Sequence, residues 1–435
     1  MNKKTKVIAA ASSSALVIIL LSIMFEVRRS SILNPEIKSL TEKETSALEE
    51  TLDGLYPERQ KRLHRLPYKT GYNFEINSAS AVVVDAATGN IIYEKNPDEV
   101  IPPASMTKLV EMAVVFEEIK NKNISMNDTV PLPPESWSKN LPYDASRMGL
   151  NEGDRVNLKT LLSGLAVASG NDASIAVANY VSGSMENFVK RMNELIQSLN
   201  LKTTYFVESS GYSAENLTTP YEFTDFALWY IKSFPFSLKE FHSQKQLVYN
   251  GYTISNTNKL LDELEGCDGL KTGYIDESGY NLSLTAERNG QRFLAVIMRG
   301  PGHSTLEGNY YRSIDGTKLI NYGFDNFETY TPEQDFIYTI SNPCCREEAF
   351  NLIPAENLSF TVPKNTGKKM QYKIIKPDFV SEEVTAGQSL GKIIFYADGT
   401  ALRTVDLVCD RTTTKKSGPS LLADKIVVWS LRRAR

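Results

Sequence analysis

Apolar positions cluster first at the start of the chain, from Val7 to Phe25, interrupted only by serines and preceded by Lys3, Lys4 and Lys6. A charged start followed by about 19 mostly apolar residues is the pattern of a secretion signal or a membrane-spanning helix. Glu26-Val27-Arg28-Arg29 follows, with no small-x-small cleavage pattern, which favours a retained anchor over a cleaved signal. The lysines then stay inside and the rest of the chain is exported. Residues 28–75 are polar and highly charged and read as a stalk, with a short helix from Thr41 to Leu55 ended by Tyr56-Pro57.

After the stalk the pattern changes. Ala81 to Val84 and Ile91 to Tyr93 are β-rich runs on either side of Thr88-Gly89-Asn90, which predicts a hairpin. Pro102-Pro103 leads into a helix from about Ser105 to Lys120, and helical spacing returns over 157–168, 172–181 and 185–199. Leu270 to Ile275, Tyr280 to Glu287 and Arg292 to Met298 read as strands, the last two joined by Asn289-Gly290. Strands at both ends with helices between them predict an α+β fold: one sheet of N- and C-terminal segments with a helical insertion. From about residue 331 the helical spacing stops. Short β-rich runs at 358–362, 370–375, 392–396 and 404–408 predict a small all-β domain. The division is therefore 1–27 membrane anchor or signal, 28–75 stalk, 76–330 catalytic domain, 331–410 β domain, and 411–435 linker and basic tail.

Composition narrows the chemistry. At 41% hydrophobic and 23% charged residues the chain is not wholesale disordered, and a net charge of -4 gives no reason to expect nucleic acid as a partner. Only His64, His242 and His303 are present, and none adjoins a serine motif, which argues against a Ser-His-Asp hydrolase. The four cysteines show no metal-ligand spacing, and no metal or other cofactor is expected. One disulfide, from Cys344 or Cys345 to Cys409, is expected in the exported late domain.

Three short motifs carry candidate chemistry. Ser105-Met106-Thr107-Lys108 opens a helix, so the hydroxyl and the amine share a face. Lysine can then take the serine proton, provided burial or a neighbouring cation keeps it neutral. Ser169-Gly170-Asn171 falls in the break between two apolar helices, where it could equally be a helix cap. Lys271-Thr272-Gly273 lies in a strand. Each motif recurs elsewhere: Ser136/Lys139 and Ser389/Lys392, Ser138-Lys139-Asn140 and Ser198-Leu199-Asn200, and Lys69-Thr70-Gly71. Only one set combines the order with a helix start, an interhelical loop and a strand.

With these motifs, residues 80–410 resemble the low-molecular-mass penicillin-binding proteins of the D-alanyl-D-alanine carboxypeptidase type. Asp85-Ala86-Ala87-Thr88-Gly89, Pro102-Pro103-Ala104-Ser105, Ser169-Gly170-Asn171-Asp172-Ala173 and Asp268-Gly269-Leu270-Lys271-Thr272-Gly273-Tyr274 carry the resemblance. It implies a β-lactamase/transpeptidase-like catalytic domain, with an antiparallel sheet and helical insertion, followed by a small all-β domain. It further implies Ser105 as acylated nucleophile, Lys108 as its base, Ser169 as proton relay, and Asn171 as partner of Lys108 or of substrate. Lys271 would hold Lys108 neutral and attract the substrate carboxylate, which Thr272 and Arg292 would contact. Gly273 and Tyr274 would line the site, with the Ser105 and Tyr274 amides as oxyanion hole. The implied partners are peptidoglycan stem peptides, β-lactam antibiotics and a membrane. Asn256-Thr257-Asn258, Ser210-Gly211 and Ile275 depart from the commoner family residues, which bears on substrate fit. A serine β-lactamase and a non-catalytic wall-binding protein on the same fold are the competing readings.

Overall fold

The structure is a computed structural model that describes residues 3–433, with side chains from residue 16 onward. The chain forms two compact units, one of Arg62–Tyr330 with Phe360–Gly367, the other of Met1–Lys61, Thr331–Ser359 and Lys368–Arg435.

The first unit is built on a six-stranded sheet in the order His64–Arg65, Asn90–Lys95, Ser80–Asp85, Gln291–Gly300, Gly279–Arg288, Cys267–Ile275. All pairings are antiparallel except the short first one. Side chains alternate across the pleat. Val82, Val84, Leu294 and Val296 face a core shared with the helices Thr107–Lys120, Asn171–Ser182, Met185–Ser198 and Pro220–Ser233. Ala81, Val83, Ala295 and Ile297 face a second core with Leu319 and Ile320 of the helix Thr305–Asn326. The result is three layers, helices on sheet on helix.

Thr305–Asn326 lies close to the sheet because glycines face it. A Cβ on Gly316 would stand 2.8 Å from Leu284, and one on Gly323 2.8 Å from the Phe293 ring. The same glycines dilute its apolar periodicity, which is why the helix is hard to see in sequence. Phe360–Pro363, expected to open the β domain, pairs instead with Phe327–Tyr330 in this first unit.

The second unit holds a five-stranded antiparallel sheet in the order Tyr338–Ser341, Ala349–Pro354, Thr400–Cys409, Ser389–Ala397, Gln371–Ile375. It is not purely β. The helix Glu42–Leu55 starts at Thr41, whose hydroxyl accepts from Glu44 N–H while the Glu44 carboxylate accepts from Thr41 N–H, a reciprocal cap. Its Leu48 and Leu52, one turn apart, are buried against Ala355 and Val408. The segment 28–75 is therefore no free stalk. Its charged surface concealed a two-leucine stripe that packs, and residues 62–75 belong to the first unit, where His64–Arg65 extends the sheet.

Residues 419–433, read as part of a linker and tail, form the helix Pro419–Arg433. Its Val427 and Leu431 bury against Ile32 of the helix Lys3–Leu33. Arg28 donates to Asp424 at 2.6 Å and to both oxygens of Glu348 at 2.8 Å, and Lys416 donates to Asp424 at 2.9 Å. The first part of the expected anchor, up to residue 15, lies outside the described side chains. Among the described residues no helix is long and apolar enough to cross a membrane. The expected disulfide does not form: all four cysteines are free. Cys409 stands opposite Leu352 in the sheet, and the Cys345 thiol donates to the Glu382 carbonyl at 3.5 Å.

Candidate active site

Ser105 sits in a tight turn, Ala104–Met106, that runs straight into the helix Thr107–Lys120. This turn is held from two sides where no side chain fits. Gly211 has φ +78, and a Cβ there would stand 1.9 Å from the Ala104 carbonyl oxygen. A Cβ on Gly273 would stand 2.6 Å from the Pro103 oxygen and 3.2 Å from the Ser105 nitrogen. The Asn281 amide donates to the Pro102 carbonyl at 3.0 Å and closes the third side. The nucleophile turn is thus pressed against the edge strand Cys267–Ile275.

One turn beyond Ser105, Lys108 is fully buried. Its Nζ lies 3.2 Å from Ser105 Oγ and donates to Asn171 Oδ1 at 2.8 Å and to the Ser210 carbonyl at 2.6 Å. Burial pulls its pKa down, and the carboxylates of Glu111, Glu208 and Asp172 oppose that pull.

Ser169-Gly170-Asn171 does occupy cap positions. Ser169 ends the preceding helical turn in a left-handed conformation, φ 56, and Gly170 precedes the helix Asn171–Ser182. Its side chains are not spent on capping, however. Asn171 Oδ1 goes to Lys108, and Ser169 Oγ accepts from Lys271 Nζ at 2.9 Å. Asp172 fixes the loop opposite: it accepts from the N–H groups of Met148, Gly149 and Leu150 and from Ser138 Oγ at 2.7 Å.

Lys271 is fully buried, and burial, Lys108 and Arg312 all push its pKa well down. Among the described residues no carboxylate shifts it. Thr272 donates through its hydroxyl to Thr257 at 2.7 Å. Tyr274 is 44% exposed and stacks on Tyr280 with ring centroids 4.2 Å apart.

Eight of the nine sequence candidates therefore converge: Ser105, Lys108, Ser169, Asn171, Lys271, Thr272, Gly273 and Tyr274. Arg292 does not join them. Lys271 is level with Ser283 and Val296 across the sheet, whereas Arg292 pairs with Glu287, four positions and about 13 Å further along. Its guanidinium is also spent on Asp268, at 2.7 and 2.8 Å, and on Glu287 at 2.6 Å. There it lines a depression of about 660 Å³ with Ala86, Lys232 and Lys239.

The cation that does approach the cluster is Arg312, from the helix Thr305–Asn326. It is buried, and it donates to the carbonyl oxygens of Thr257 at 3.4 Å and Asn281 at 3.5 Å and to the Asn309 side chain. Burial pulls it down to about 10, and among the described residues it has no carboxylate partner within 4 Å. Motif reading missed it because it lies outside all three motifs on a helix that glycines disguise. A capping pattern, Ser304 accepting from Glu307 N–H at 3.2 Å, marks the start of that helix. His242 is buried, bonded to Tyr230 at 2.8 Å and held neutral with a pKa near 3, so it takes no part.

Residues 67–302 match the family described as D-alanyl-D-alanine carboxypeptidase, and residues 345–415 match the penicillin-binding protein 5 C-terminal domain. The chain is 31% identical to D-alanyl-D-alanine carboxypeptidase DacF of Bacillus subtilis, over 74% of this chain and 82% of that protein. Penicillin binding protein 5 of Haemophilus influenzae superposes with a TM-score of 0.69 at 27% identity, covering 80% of this chain and all of that one. Penicillin-binding protein D2 of Listeria monocytogenes in its cefotaxime-bound form gives 0.52 at 27% identity, over 58% of this chain and all of that one.

Proposed function

The chain belongs to the D-alanyl-D-alanine carboxypeptidase family, and from that premise we propose how its own side chains release the terminal D-alanine of a peptidoglycan stem peptide. The activity is that of a serine-type D-alanyl-D-alanine carboxypeptidase. The observation that carries the assignment of roles is the position of Lys108 Nζ among three oxygens. A neutral amine has two hydrogens and one lone pair. Asn171 Oδ1 and the Ser210 carbonyl can only accept, so they take both hydrogens and the lone pair is left facing the Ser105 hydroxyl.

Ser105 Oγ attacks the carbonyl carbon of the penultimate D-alanine, and its proton passes to Lys108. The oxyanion forms where the edge strand meets the nucleophile turn, within reach of the Ser105 and Tyr274 amides. As the C–N bond breaks, Ser169 Oγ gives its proton to the leaving amine and is resupplied by Lys271, which donates to it and recovers in turn the proton that Lys108 took, so both lysines regain their starting states. Water then attacks the ester: Lys108, neutral again, takes the water's proton and passes it to Ser105 Oγ as the acyl bond breaks, and Ser105 is restored. Lys271 and Arg312 are buried with no carboxylate partner among the described residues, and the substrate's terminal carboxylate supplies the counter-charge that favours their charged forms. A β-lactam presents the same carbonyl and carboxylate, so Ser105 forms an ester with it too.

The test is mass spectrometry of the protein treated with a labelled penicillin. One adduct is expected on the peptide that contains Ser105. It should vanish in Ser105→Ala and persist in Ser136→Ala and Ser389→Ala. Label retained by Ser105→Ala would overturn the assignment.

We further infer that the enzyme works outside the cytoplasm, tethered by the Val7 to Phe25 segment. In support, Leu16, Val17, Ile18, Ile19, Leu20 and Leu21 are all more than half exposed, a run without protein cover. Protein isolated from its native membrane should begin at or next to Met1. An N-terminus beyond Phe25 would identify a cleaved signal instead.

A further inference from the structure

Glu111 lies one helical turn beyond Lys108 on the helix Thr107–Lys120, a spacing that puts both side chains on one face. It has no exposed surface, and among the described residues neither carboxyl oxygen has a hydrogen-bond partner within 3.5 Å. Such a group destabilises a fold, so its presence beside a reacting lysine calls for a reason.

The surroundings single it out. Two other carboxylates act on Lys108, and both are satisfied by fixed donors. Glu208, in the segment before Gly211, accepts from the N–H groups of Ser210 and Gly211 and from the Asn216 amide. Asp172, at the start of the helix Asn171–Ser182, is held by the Met148 to Leu150 amides. The Ser174 hydroxyl, on the same neighbouring helix, acts on Glu111 but also shares a hydrogen bond with Ser209 at 2.6 Å. Lys271, from the sheet, faces Lys108, which lowers its pKa. Glu111 is thus the one carboxyl of these three that no backbone N–H or amide holds, with only the Ser174 hydroxyl, among neutral donors, near enough to act on its charge. Burial raises its pKa, with Ser174 and Lys108 opposing and Glu208 adding to the rise. In return Glu111 is the strongest group favouring the charged form of Lys108.

We propose that Glu111 is a positioning residue for acylation: a buried carboxyl coupled to Lys108, so that the base activating Ser105 is a lysine–carboxyl unit that loses its protons in two steps. When the carboxyl is neutral, Lys108 is released to act as a base. When it ionises, it holds the ammonium charged and slows the reaction. The sign follows. Removing the carboxyl removes a group that favours charged Lys108, so the neutral amine persists to lower pH. The proposal rests on Lys108 being the base, and the experiment separates the two ideas.

The measurement is the second-order acylation rate of the full chain by a chromogenic cephalosporin against pH, each profile scaled to its own plateau. The wild-type acid limb should be broad. In Glu111→Gln and in Glu111→Met, which keeps the volume and drops both polar atoms, it should narrow to one ionisation and move down by about one pH unit. Well below the limb that is a relative gain of about tenfold. A limb that keeps its slope and stays within about 0.3 unit of wild type, in whichever variant folds, overturns the role of Glu111. Acylation that survives in Lys108→Arg overturns instead the reading of Lys108 as base. Infrared titration of the unaltered enzyme needs no variant: a carboxylic-acid band should fade across the acid limb, and its absence there also overturns the proposal.

Discussion

One added methyl group at Gly273 tests whether the edge strand and the nucleophile turn act as a single rigid part. Its Cβ would stand 2.6 Å from the Pro103 oxygen, where ordinary contact begins at 3.4 Å, so strand and turn must separate by about 0.8 Å. The three obstructing atoms are the Pro103 oxygen, the Ser105 nitrogen and the Ala104 Cβ, and no rotamer change relieves them. A misplacement near 1 Å costs about 10²-fold in rate, and loss of one oxyanion donor costs about 10² to 10³. Gly273→Ala should therefore acylate about 10²-fold more slowly, or about 2.7 kcal/mol. Stopped-flow acylation by a fluorescent penicillin gives the rate, and a thermal melt shows that the variant folds. The internal control is the other copy of the motif, Lys69-Thr70-Gly71. Nothing lies within 4 Å of a Cβ on Gly71, so Gly71→Ala should acylate as wild type does. A folded Gly273→Ala that acylates within about threefold of wild type would refute the idea that this contact builds the site.

The two arginines divide cleanly. Arg312→Gln should raise KM for a D-alanyl-D-alanine peptide by about tenfold or more, with Arg312→Lys in between, because a buried positive charge facing the carboxylate is lost; an unchanged KM would remove Arg312 from the site. Arg292→Ala should leave KM alone and lower stability by up to about 1 kcal/mol, as for a partly exposed ion pair, read from a denaturant melt. Leu52→Ala should destabilise the second unit by about 2 to 5 kcal/mol, whereas a solvated stalk helix would lose nothing in the same melt.

The chemistry was easier to read from sequence than the architecture around it. Ser105, Lys108, Ser169, Asn171 and Lys271 could be named because each belongs to a short motif whose spacing fixes local geometry. The hairpin turns at Thr88-Gly89-Asn90 and Asn289-Gly290 marked four of the sheet's six strands, since turn residues act locally. Arg312 was not legible because its position depends on a helix whose glycines serve contact rather than propensity. Arg292 was misplaced for the opposite reason: it adjoins the right strands, but strand register decides which row a residue occupies. Leu48 and Leu52 looked like part of a spacer because two leucines form a stripe only once there is a surface to meet. Free Cys345 and Cys409 show the same limit, since proximity in the chain does not align two side chains.

The sheet of the first unit also sets the order in which that unit can become active. Val84 pairs with Leu294, 210 positions along the chain, and Ser169 meets Lys271, 102 positions along. Such non-local closures form late, after the loop entropy between them has been overcome. A chain emerging from synthesis has Ser105 and Lys108 long before it has the strand that completes their surroundings. Until residues near 300 arrive and the sheet zips, the serine remains an ordinary alcohol. Covalent capture of penicillin is therefore also a clock: the time at which a refolding or newly exported sample first takes label marks the closing of the sheet, strand against strand.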